Sequence, residues 1–150
     1  MRIGITGTPG TGKTSIAKEM SRISGIKLVD LELFLKKCEI GFDEKRGSRI
    51  IDEKKLSRLF NIKGGFVVES HLAHFLRNLD VCIVLVCGIR ELKKRLEKRG
   101  WKKEKINENL EAERMKICLG EAMDRKQNIL VYDTTGKKAE EVAKEILKKI

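Results

Sequence analysis

Residues 7–14 read Gly-Thr-Pro-Gly-Thr-Gly-Lys-Thr, matching the spacing G-x-x-x-x-G-K-T. This one stretch restricts the fold more than any other. Glycines at 7, 10 and 12 let the backbone curl so that successive N–H groups point inward at phosphate oxygens. Lys13 reaches β- and γ-phosphates, and the Thr14 hydroxyl is a ligand for Mg²⁺. Pro9, Thr11 and Ser15 complete the set of residues expected against the nucleotide. The context fits: residues 2–6 read as a short buried strand, and residues 14–24 as a helix with Ile16, Ala17, Met20 and Ile23 on one stripe. The helix N-terminus adds its dipole to the anion site. The pattern implies a nucleoside triphosphate.

Alternation organises the remainder. Strand signals at 26–29, 66–69, 81–87 and 129–132 alternate with helical signals at 31–38, 72–79, 91–98, 101–124 and 138–150. Asp52 is placed to cap a further helix running to about residue 62, with Leu56, Leu59 and Phe60 inward. Residues 41–49 read as polar and irregular. Near-continuous apolar strands between helices predict an α/β fold with a five-stranded parallel sheet covered on both faces. Ligands of such sheets lie at the carboxyl ends of the strands, where Asp30, Glu69, His71, Gly88 and Asp133 fall.

At 150 residues the chain reads as one domain. No apolar run approaches membrane-spanning length and the first residues carry no signal-peptide pattern, so the expectation is a cytoplasmic protein without membrane contact, and a monomer. Cys38, Cys82, Cys87 and Cys118 have no C-x-x-C spacing, which argues for free thiols rather than zinc. The net charge of +11 suits polyanionic nucleotides and permits contact with RNA or a ribonucleoprotein, or it is a solubility charge on Lys-rich helices. No N-K-x-D guanine-recognition element follows a strand, which disfavours a GTPase.

Several further segments carry a family resemblance: Gly41-Phe42-Asp43-Glu44, Ile51-Asp52-Glu53, Val67-Val68-Glu69-Ser70-His71, Arg95-Leu96-Glu97-Lys98-Arg99-Gly100-Trp101, Asn109-Leu110-Glu111-Ala112-Glu113 and Asp133-Thr134-Thr135-Gly136. With the phosphate loop, their order and spacing resemble the small adenylate kinase/ATPase family of the nucleoside monophosphate kinase group, in its archaeal form. That family assists assembly of the small ribosomal subunit. The resemblance implies a P-loop kinase domain with its core at 1–29, 64–90 and 125–150, a monophosphate-binding region at about 30–63 and a short lid at about 99–114. It implies ATP + AMP ⇌ 2 ADP, a slower ATPase, dependence on Mg²⁺, and a small-subunit ribosomal protein or pre-rRNA as partner. The alternatives are an ATP-hydrolysing assembly switch with little kinase activity, or a kinase of another small acceptor.

Phosphoryl transfer needs in-line positioning and charge cancellation rather than covalent help. Lys13 serves the donor phosphates. Arg95 and Arg99, four residues apart on one helix face, are candidates for donor phosphate or adenine, with a solvated basic face as the plain alternative. Glu69, where the family commonly has Asp, is expected to hold the Mg²⁺ water shell or orient the attacking group, and Thr14 and Glu69 form the candidate metal site. His71 is a candidate for orienting water; His74 has less to recommend it. Gly136 allows a base to approach the backbone closely, or simply makes a turn. Asp30 contacts ribose or caps the next helix, the cap being favoured. No arginine stands where an AMP phosphate hook is expected: Lys36 and Lys37 occupy that helix, and Arg46 and Arg49 come later.

Overall fold

The computed structural model describes residues 1–125 and 128–150. Lys126 and Gln127, inside the expected core segment 125–150, lie outside the described residues. The chain runs β1 (Arg2–Gly7), α1 (Lys13–Ser24), β2 (Leu28–Val29), α2 (Glu32–Cys38), β3 (Glu39–Asp43), β4 (Ser48–Ile51), α3 (Glu53–Leu59), β5 (Phe66–Glu69), a 3-10 turn (Ala73–Phe75), β6 (Val81–Val86), α4 (Ile89–Lys98), α5 (Lys103–Arg114), α6 (Ile117–Asp124), β7 (Ile129–Asp133) and α7 (Ala139–Leu147).

Five strands form one parallel sheet in the order β2-β5-β1-β6-β7. β1 is central, so the loop that leaves it emerges mid-sheet. Both faces are covered, as the apolar strands require. On one face α1 and α7 bury Ile16, Met20, Val142 and Ile146 against Ile3, Ile5, Ile83 and Leu85. On the other, α2 and α3 pack Leu35, Leu56 and Phe60 against Phe66 and Val68. α6 covers Cys82 and Val84. α4 and α5 form a satellite cluster of Leu92, Leu96, Ile106 and Leu110. No helix among the described residues is long and apolar enough to cross a membrane.

The sheet agrees with the sequence reading; several local expectations do not hold. Residues 41–49 are not irregular. They belong to an antiparallel hairpin, β3 with β4, in which Phe42 pairs with Arg49. The pairing is main-chain and tolerates Ile40, Phe42 and Ile50 facing solvent, so no apolar alternation announces it. The stretch 72–79 makes only the 3-10 turn, and Asn78 adopts positive φ. The stretch 101–124 divides into two helices where Lys116 takes the left-handed conformation (φ 53°). α3 stops at Leu59, which is exposed rather than inward, and Ile23 is exposed at the end of its stripe.

Asp52 caps α3 through its carboxylate, which accepts from the Lys55 N–H at 2.9 Å. We expect Asp52→Ala to lower stability by about 1 kcal/mol in urea titration, the cost of losing a side-chain cap. A change below a few tenths would mean that hairpin contacts alone hold α3.

Candidate functional site

The phosphate loop spans the end of β1 and the start of α1. Gly7 has φ 149°, and a Cβ there would lie 2.5 Å from the Leu85 carbonyl oxygen, so the close passage of the loop over β6 demands glycine. Gly12 caps α1 in the left-handed conformation, which aims the first helical N–H groups into the loop. Thr11 closes the turn from inside, its hydroxyl donating to the Thr8 carbonyl at 2.8 Å. Pro9 is half-buried and Ser15 is exposed in the first turn of α1.

Lys13 folds back into this loop. Its Nζ donates to the carbonyls of Gly7 (2.9 Å) and Thr8 (3.2 Å). Burial pushes its pKa down to about 8, with Glu69 opposing that shift and Arg99 adding to it.

Thr14 and Glu69 are brought together. The Thr14 hydroxyl donates to Glu69 Oε1 at 2.8 Å. β5 lies beside β1 with Ile5 opposite Glu69, so the carboxylate ends its strand next to the loop. A hydroxyl and a carboxylate side by side are hard oxygen donors of the kind Mg²⁺ takes.

His71 follows in a turn shaped by Ser70, whose N–H donates to Ile5 O (3.1 Å) and whose hydroxyl accepts from Leu72 N–H (3.1 Å). Its side chain reaches solvent. Surrounding protein, with Lys13 as the next contributor, holds its pKa down to about 4, so the imidazole is neutral at ordinary pH. The N-cap position of α2 is Leu31, without a side-chain cap; Asp30, one residue earlier, accepts through Oδ1 from Glu32 N–H at 2.9 Å and so serves the first turn of that helix.

Arg95 lies across the loop. Its guanidinium donates to Gly10 O (3.2 Å), Thr134 Oγ1 (3.2 Å), Thr134 O (2.9 Å) and Glu91 Oε2 (2.8 Å). Arg99 is exposed one turn later, just before Gly100 (φ 73°) ends α4. Both arginines line a cleft of about 290 Å³ with Gly12, Ser15, Thr134 and Lys137. Gly136 is at positive φ and gives its N–H to the Glu91 carboxylate at 2.9 Å, so that N–H is engaged within the loop. Trp101 stacks on the Lys105 ammonium, 3.9 Å from the ring centre.

Four residues are integral to the site, three of them with no individual role assigned from sequence and the fourth, His74, with little to recommend it there. Thr134, buried, donates its hydroxyl to Thr11 O at 2.9 Å and ties β7 to the loop. Glu91 orients both Arg95 and Gly136. Glu113 accepts from Cys87 N–H at 3.1 Å at the end of β6. His74 lies beneath the loop, held down to a pKa of about 4 by burial and by Arg125. For Thr134 a signal existed, a Thr-Thr pair directly after an apolar strand; the partners of the other three are remote in sequence. In the region 30–63, Arg49 forms a fork with Glu32 at 2.7 and 3.0 Å.

A glycine-rich loop leaving the central strand of a parallel sheet, with an acid ending the next strand and arginines facing it, defines a P-loop kinase fold. The AAA domain family matches residues 3–116. A protein of Methanosarcina acetivorans named "Putative adenylate kinase" is 41% identical over 160 residues, covering 99% of this chain and 85% of its own. One of the same name from Thermococcus gammatolerans is 40% identical over 154 residues, covering 100% and 85%. The chain belongs to this adenylate kinase-like P-loop family. Solved structures agree on the fold: shikimate kinase from Acinetobacter baumannii superposes with TM-score 0.69 at 16% identity, covering 99% of this chain and 91% of that one. Deoxyadenosine kinase from M. mycoides gives 0.65 at 17%, covering 99% and 98%.

Proposed function

We propose that this protein transfers the γ-phosphoryl group of ATP to AMP and, more slowly, to water. The observation that carries this reading is the 2.8 Å contact of Thr14 with Glu69 beside a Lys13 already buried in the phosphate loop. The adenylate kinase name borne by relatives at about 40% identity supports AMP as acceptor.

In this reading the loop amides and Lys13 hold the donor triphosphate. Thr14 and Glu69 would hold Mg²⁺, which would supply charge neutralisation to the transferring phosphoryl group when bound. The neutral His71 orients the nucleophile: a ring nitrogen accepts a hydrogen bond from the attacking water, or the ring N–H donates to the AMP phosphate, one of whose oxygens attacks. Arg99, at the edge of the cleft with its guanidinium over the Trp101 ring, closes on the donor phosphates, while Arg95 holds the loop and the residue 134–136 turn that faces the base. Residues 30–63 receive the monophosphate and residues 99–114 act as the lid. The lid is one turn and one helix, which shields the transferring group poorly and favours leakage to water. The chain's charge of +11 supports a polyanionic partner, and with the family resemblance it suggests pre-rRNA or a small-subunit ribosomal protein.

The test is ADP formation from Mg·ATP with AMP, CMP, UMP or GMP added singly, beside a sample without acceptor. We expect AMP to accelerate ADP release and the other three to do so less. Slow release indifferent to every monophosphate would replace the kinase reading with an ATPase switch. Glu69→Gln keeps the size and removes the charge; we expect turnover to fall about a hundredfold, with partial recovery at raised Mg²⁺. Unchanged turnover would remove Glu69 from the metal site.

A further inference from the structure

We propose that His74 is a positioning residue: it fixes the Thr6 hydroxyl and, through it, the main chain of His71 relative to the phosphate loop, with Glu121 on α6 as the anchor. The His74 side chain is fully buried. Its Nδ1 is 2.7 Å from Thr6 Oγ1, and its Nε2 is 2.8 Å from Glu121 Oε2. A neutral imidazole has one donor and one acceptor, and an ionised carboxylate only accepts. Nε2 therefore carries the proton to Glu121, and Nδ1 accepts from the Thr6 hydroxyl.

Thr6 immediately precedes Gly7, the first residue of the loop, and its single hydroxyl proton is shared in a three-centre bond: Nδ1 of His74 accepts it at 2.7 Å and the His71 carbonyl oxygen, more weakly, at 3.3 Å. One hydroxyl thus stands between the buried ring, the strand that launches the loop and the turn that carries His71. An aliphatic side chain would fill the same space without the desolvation cost of an imidazole, so packing alone does not explain the choice. What the ring adds is direction. It sets where the Thr6 hydroxyl points and joins β1, the His71 turn and α6 by hydrogen bonds rather than by contact.

The chain contains two histidines, so their ¹⁵N-imidazole resonances separate cleanly. The experiment compares the full-length wild type with Thr6→Val, which keeps the shape and removes the hydroxyl, with His74→Gln, and with the double variant. We expect wild-type His74 as the Nε2–H tautomer and a displaced His71 resonance in Thr6→Val. We also expect kcat for ADP formation to fall about tenfold with KM for ATP within about twofold of wild type, because misplacement near the transferring group costs rate more than donor binding. The double variant should be no slower than the worse single one, as for residues acting in series. The kinetic arm rests on the phosphotransfer reading; the spectroscopic arm does not, and it decides alone if the wild type transfers to neither AMP nor water. An unmoved His71 resonance in Thr6→Val, an Nδ1–H tautomer in wild type, or additive kinetic losses would each overturn the proposal.

Discussion

Lys13→Met is expected to cut ADP formation by about three orders of magnitude while leaving the fold intact, since preorganised charge at the transferring group is the main catalytic contribution of such sites. The structure supplies the reason. The ammonium is held inside the loop by Gly7 O and Thr8 O, so it is in place before any phosphate arrives. Methionine fills the space of the stem and lacks the charge. Circular dichroism and urea unfolding should match wild type; a variant that keeps more than about a tenth of wild-type turnover would mean that Arg99 and the loop amides suffice.

The same lysine sets a pH dependence. Its pKa in the free protein is about 8 because of burial. A polyphosphate beside it favours the charged form, so the bound pKa is higher. Nucleotide affinity is therefore complete below pH 8 and weakens as pH rises through it, by up to about tenfold per unit. Isothermal titration with ATP at pH 7, 8, 9 and 10 measures this directly, with Lys13→Met as the control that shows no such slope.

Arg95→Met is expected to remove about 2–3 kcal/mol of stability and to raise KM for ATP about tenfold, because it deletes charge-assisted bonds to half-buried acceptors. Arg95 joins three elements: α4, on which it sits; the loop, at Gly10 O; and the turn after β7, at Thr134. Lysine cannot serve all of these acceptors from a single ammonium, so Arg95→Lys should recover less than half of the loss. The urea midpoint should fall with unchanged slope. Full stability with a raised KM would instead make Arg95 a ligand contact and nothing more.

The phosphate loop, the parallel sheet and the acid at the end of β5 were legible because each is written locally, in spacing or in an apolar run. What escaped was set by distance or by main-chain geometry. His74 looks like an ordinary loop histidine until Thr6 and Glu121 are seen on either side, 68 and 47 residues away. The bend at Lys116 has no glycine or proline to mark it, while Gly120 sits unremarked inside α6. The β3–β4 hairpin escaped for the opposite reason: Ile40, Phe42 and Ile50 face outward and only Ile51 packs against the core, so it lacks the buried stripe by which strands are recognised. Arg95 and Arg99 read as an equivalent pair, and only the structure separates them, one engaged with four acceptors and the other at the edge of the cleft.

The bond from Thr134 to Thr11 joins residues 123 positions apart. During synthesis the loop leaves the ribosome early, yet the contact that braces it must wait for β7. A nascent chain thus carries a nucleotide-binding sequence, and the central strands β5, β1 and β6, before the edge strand β7 brings the brace. The order of translation delays bracing of the phosphate loop until β7 has been made, and a chain cut short before β7 leaves the loop without its brace.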